Sequence, residues 1–162
     1  EIRRKQGDAF SELGGFFKMY ELSIVAADER DVLFVRSNIR QEDCYLYRIQ
    51  MDSAARHSLF LAYLDEANHL VHTPRYYHTI TANCTTLIFR MMDRIVPGLP
   101  LDYRLLVSGY LPEYLYKMQA LQGADSVAEY RRRGYYSDRA KANADIDQYS
   151  RVIRKGVPGV PE

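Results

Sequence analysis

The chain has 162 residues, enough for one domain with a sizeable core and too few for two comfortable ones. At 47% hydrophobic and 27% charged residues it is not a disordered polymer, and 22 basic against 21 acidic residues argue against nucleic acid as its main partner. No apolar run reaches the roughly eighteen residues of a membrane span, and no signal peptide is visible.

Glu1-Ile2-Arg3-Arg4 opens without a Met and reads as the end of a strand begun upstream, so a fragment is expected whose targeting segment precedes it. Gly14-Gly15 breaks the next stretch ahead of the aromatic cluster Phe16, Phe17 and Tyr20. Residues 21–27 are expected to form a strand. The charged turn Asp28-Glu-Arg-Asp31 leads to 32–35, strand-like or one helical turn. Residues 44–51 alternate as a strand, with Cys44, Leu46 and Arg48 on one side and Tyr45, Tyr47, Ile49 and Met51 as the core face.

Asp52-Ser53 offers an N-cap for a helix to about Leu70, striped by Leu59, Tyr63, Ala67 and Leu70 and widened by Phe60 and Leu64. Residues 76–80 form an extended lead-in to a helix that begins at Asn83 or Cys84 and runs to about Ile95, striped by Leu87, Ile88, Met91, Met92 and Ile95. Pro97-Gly98 and Pro100 end it. Further helices are predicted over 102–107, 112–121 and 137–146. From Gly123 onward eight basic residues meet six acidic ones, a mixed tail rather than a polybasic arm. The expected division is 1–122 as the main domain and 123–162 as a polar helical tail.

Cys84 carries the chemistry. A cysteine attacks as thiolate, and the unpaired N–H groups and positive dipole end of a helix's first turn favour a negative sulfur. Asn83 can cap that helix, Thr85 adds a hydroxyl, and adjacent N–H groups suit an oxyanion hole. The alternative is a small buried hydrophobe. A nucleophile needs a base, usually His. His57 and His69 fall on the surface of a helix and His72 in a loop; His78 lies six residues before Cys84, as a base or a rim residue. Metal binding through His72, His78 and Cys84 fits no zinc spacing, and no cofactor is implied.

Several segments carry a resemblance: Phe16-Phe-Lys-Met-Tyr-Glu-Leu22, Arg36-Ser-Asn-Ile-Arg40, Cys44-Tyr-Leu-Tyr-Arg48 and above all Tyr76-Tyr-His-Thr-Ile-Thr-Ala-Asn-Cys-Thr-Thr86. With Pro97-Gly-Leu-Pro-Leu-Asp102, Ser108-Gly-Tyr-Leu-Pro-Glu-Tyr-Leu-Tyr116 and Tyr149-Ser-Arg-Val-Ile-Arg154, they make the chain resemble the Lnb N-terminal periplasmic domain family. The resemblance implies an α+β fold, a circularly permuted papain-like (NlpC-type) domain, incomplete at its N-terminus and carrying a helical C-terminal extension. It implies a periplasmic, membrane-anchored protein of the bacterial envelope and a cysteine acyltransferase, amidase or peptidase working through a thioester.

In that permuted order the catalytic His lies upstream of Glu1, Glu1 is a candidate third residue, and the fragment alone is expected to be inactive. The substrate would be a lipid- or peptide-type acyl donor, with Asn83, Thr85, Tyr77 and Arg75 as substrate-binding candidates. His78 and Cys44 depart from the family pattern. Arg36, Arg40, Arg48 and Arg75 lie in resembling segments and suit either bidentate anion contacts or salt bridges. A non-catalytic envelope module that binds lipid, peptidoglycan or a protein partner is the other reading.

Overall fold

The computed structural model describes residues 21–78, 84–143 and 145–161. In chain order they form α1 (Glu29–Phe34), a π-helical turn (Val35–Ile39), α2 (Ser53–His72), α3 (Cys84–Ile95), two 3-10 turns (Tyr103–Leu105 and Ser108–Tyr110) and α4 (Leu111–Lys117). There follow α5 (Val127–Gly134), α6 (Ser137–Lys141), a 3-10 turn (Ile146–Gln148) and α7 (Tyr149–Val152). Among the described residues extended chain pairs only through isolated antiparallel bridges, including Glu21 with Tyr76, Tyr45 with Tyr135, and Ile49 with Leu121.

The expected α+β, permuted papain-like architecture is therefore overturned: the described residues are predominantly helical and build no sheet. The reason is local. Residues 44–50 bridge Tyr135 at one end and Leu121 at the other, while the chain around Tyr135 is the short joint between α5 and α6. No partner stays extended long enough for a ladder to grow. Residues 21–27 likewise bridge only at Glu21, and 32–35 are helical because Asp28 caps α1 by accepting from the Arg30 N–H, with Glu29 and Asp31 in the first turn. The face of 44–51 is also inverted: Cys44 is buried, whereas Tyr45 and Ile49 are 46% and 42% exposed.

The chain divides into two compact units, Glu1–Val25 with Asp52–Tyr110, and Ala26–Met51 with Leu111–Glu162. Residue 122 falls inside the second. In the first unit Asp52 accepts from the Ala55 N–H at 2.7 Å, and the helix it caps runs to His72 before Thr73. α2 buries Glu66 and Leu70, with Leu59, Tyr63 and Ala67 half-buried; Phe60 and Leu64 do not widen this stripe but face solvent. α3 buries Thr85, Thr86 and Met91, whereas Ile88 is exposed.

The second unit centres on Cys44, Tyr136, Ala140, Tyr149 and Ile153, with Leu33, Phe34 and Leu46 packed against them. Full burial of a side chain such as Ile153 contributes about 1.5–3 kcal/mol. Several polar groups inside are matched, although Arg139 Nε and Glu113 Oε2 are buried without a hydrogen bond among the described residues. Ser137 Oγ accepts from the Cys44 N–H and donates to the Glu42 carbonyl, both at 2.8 Å; Ser37 and Tyr149 share a hydroxyl–hydroxyl bond at 2.8 Å; the Asn38 amide donates to the Ala140 carbonyl. Phe34 meets Tyr149 edge-on at 5.5 Å. Burial, and then Cys44, hold the Tyr136 phenol far above the usual tyrosine range. Arg139 donates to the carbonyls of Arg133 and Ile153, placing a cation at the ends of α5 and α7.

Candidate functional site at the start of the Cys84 helix

Cys84 is the first residue of α3, a free and exposed thiol. Its two successors, Thr85 and Thr86, are both buried and Met91 is 2% exposed. These three residues anchor the helix; Cys84 lies on the same face as Met91, seven residues on, and owes its exposure to standing at the helix end. The sulfur stands at the surface while the Thr85 hydroxyl belongs to the interior.

The entering segment is tied on two sides. The Leu22 N–H donates to the Arg75 carbonyl at 2.7 Å, and Tyr76 bridges Glu21. The Arg75 guanidinium pairs with Glu66 of α2, a carboxylate only 7% exposed. A buried charge without a counter-charge would be costly, so this pair holds residue 75 against α2. Arg75, a candidate for substrate anions, thus already has its anion inside the protein.

Tyr77 and His78 follow, both half-buried. Burial, and to a lesser degree the neighbouring Cys84 thiol, push the Tyr77 phenol above the usual tyrosine range. Tyr77 thus lies within electrostatic reach of Cys84. Glu1 and Asn83 lie outside the described residues, as does the aromatic cluster at 16–20. His57, His69 and His72 are exposed. Among the described residues no three His, Cys, Asp or Glu side chains converge on a metal position.

Sequence reasoning missed Glu66. Its signal is the stripe itself, since residue 66 falls between Tyr63 and Leu70 on the apolar side of α2, where a carboxylate needs a partner. It also left out α5, announced by Ser126 three residues before Glu129: the Ser126 hydroxyl accepts from the Glu129 N–H at 3.2 Å.

The fold and the site define a helical two-unit protein that presents a helix-opening thiol beside a tyrosine. The family model for the Lnb N-terminal periplasmic domain matches residues 1–109, and the chain belongs to that family. The location that goes with the family is the periplasm. No described helix is long and apolar enough to cross a membrane. Searches of curated proteins and of solved structures gave no match.

Proposed function

We propose that this periplasmic chain carries the thiol of a cell-envelope acyl enzyme, an acyltransferase or an amidase or peptidase. The supporting observation is the place of Cys84: free, exposed, and first in a twelve-residue helix. In this reading the thiolate attacks an acyl carbonyl of a lipid- or peptide-type substrate. A carbon–sulfur bond forms, the leaving group departs with a proton, and a thioester remains. An amine or water then attacks the thioester and releases the thiol. First-turn N–H groups stabilise the oxyanion, and Tyr77 walls the sulfur. His78 is the imidazole to test as base. Membrane attachment through segments outside this chain belongs to the same proposal.

This chain alone is expected to be inactive, so the test is mass spectrometry, with acyl donors, of the protein carrying its upstream residues. A hydroxylamine-labile acyl adduct on Cys84 is expected, with turnover lost in Cys84→Ala. His78→Ala slows adduct formation if its imidazole is the base. Undiminished activity in Cys84→Ala would refute the enzyme reading.

A non-catalytic envelope-binding module is the second reading. It is favoured by the apolar side chains Leu101, Tyr103, Leu106, Val107 and Tyr110, exposed by between 43% and 81%. Retained partner binding in Cys84→Ala, without any acyl adduct on the unmodified protein, would select it.

A further inference from the structure

The four arginines offered to an anion by the sequence end in different surroundings. Arg36 gives Nε and Nη2 to the Glu42 carboxylate at 2.7 and 2.6 Å. Arg40 reaches the same residue at 3.7 Å, and Arg75 is held by Glu66. Arg48 differs: among the described residues no acidic or hydrogen-bonding partner meets its guanidinium.

Arg48 lines a cleft within the second unit together with Ile49, Gln50, Met51, Gln122 and Gly159. The cleft encloses about 160 Å³, below the roughly 300–1,000 Å³ of whole-ligand sites, so it suits one end of a ligand. One wall is fixed by the Ile49–Leu121 bridge and by the Gln50 N–H donating to the Ala120 carbonyl at 2.8 Å. The floor is a crossing of two backbones. Gly123 and Gly159 have φ of +94° and +75°; a Cβ on Gly123 would lie 2.5 Å from the Gly159 nitrogen. One on Gly159 would lie 2.8 Å from the Gln122 carbonyl oxygen and 3.5 Å from Arg48 Cγ. Glycine at 159 therefore keeps open the space beside the Arg48 stem.

We propose that this cleft binds the terminal carboxylate of a short peptide, with Arg48 as its counter-charge. The charge decides for a carboxylate. Arg48 is the single charged residue of the lining, which matches a monoanion; a phosphate group, at about −1.5 to −2, would keep excess negative charge. The guanidinium fork fits a planar carboxylate by two parallel hydrogen bonds. The Gln50 and Gln122 carboxamides each offer a donor and an acceptor, the complement of a peptide unit's carbonyl and N–H. Ile49 and Met51 supply apolar surface for one adjoining side chain, and the volume admits the terminal residue. This site stands independently of the Cys84 chemistry.

The test is a titration of the ¹⁵N-labelled chain with N-acetyl-dialanine, its C-terminal amide, and inorganic phosphate. The free acid is expected to shift the backbone signals of Gln50, Gln122 and Gly159 saturably. The amide is expected to bind about tenfold or more weakly, having lost a charge-assisted pair. Arg48→Gln should lose the same factor while signals far from the cleft stay in place. Arg48→Met, which keeps an apolar stem over Gly159, is the second variant and should behave alike. No saturable shift, equal binding of acid and amide, or undiminished binding by both variants would each overturn the proposal. Phosphate binding as tight as the peptide acid would overturn the choice of carboxylate.

Discussion

Around Ile153 the chain is cross-tied at long range: Ser37 to Tyr149, Asn38 to Ala140, Cys44 to Ser137, Glu29 to Arg154. Around Cys84 the chain instead presents a free, exposed thiol. The helix is anchored by Thr85, Thr86 and Met91, and its entering segment by the Glu21–Tyr76 bridge, the Leu22–Arg75 hydrogen bond and the Arg75–Glu66 ion pair. The contrast separates a region that buries its cysteine from one that displays it.

The largest expected effect tests whether the two regions are energetically separate. Ile153→Ala removes buried methylene groups at a site with no exposure and is expected to cost about 2–5 kcal/mol. Followed by circular dichroism and thiol labelling in urea, the loss should fall on the second unit and leave the native-state reactivity of Cys84 unchanged. A single cooperative transition that carries both probes down together would break the comparison.

Next in size is the contrast between the two thiols. In native protein iodoacetamide should modify exposed Cys84 on the order of a hundredfold faster than buried Cys44, the factor for an opening that costs about 3 kcal/mol. In Ile153→Ala the ratio should shrink as Cys44 becomes accessible. Equal rates in the unaltered chain would show that the core around Tyr136 opens freely.

The smallest effect concerns pH. Arg154 holds the Glu29 carboxyl below its ordinary range, chiefly through hydrogen bonds at 2.7 and 2.5 Å. A folded-state value below the unfolded one means stability present above the unfolded value, about 4.3, and lost as pH falls through the folded one. Both side chains are about a third exposed, so the contribution is expected to stay below about 1 kcal/mol. Thermal melts between pH 6 and pH 3, compared with Glu29→Gln, should show a loss at low pH that the variant lacks.

Helices announced by strong local signals were legible in the sequence. Asp52 caps α2, and α3 spans Cys84 to Ile95 as its apolar spacing and the following Pro97 require. Segments whose structure depends on distant partners were not. Alternation along 44–51 suggested a strand, but which face is buried depends on Tyr136 and Ile153, some hundred residues later, and a strand without a steady partner becomes isolated bridges. The 102–107 stretch, expected as a helix, closes instead as a 3-10 turn because Asp102 takes both the Arg104 N–H and its guanidinium. At the site, the place of Cys84 at a helix start was legible, whereas its exposure and Glu66 answering Arg75 required the fold.

The second unit is discontinuous, its first part, Ala26–Met51, separated from its second by the 59 residues from Asp52 to Tyr110. On a ribosome that order becomes time. At about 5–20 residues per second, residues 44–50 wait roughly 3–12 s after synthesis before Leu111 is even made, and longer before Tyr135 and Ile153 can cover Cys44. The intervening unit has its own capped helix and can begin to close first, shortening the distance the late partners must span. A chain arranged in this way completes the unit that displays Cys84 before the one that buries Cys44, and leaves Cys44 reachable until its late partners arrive.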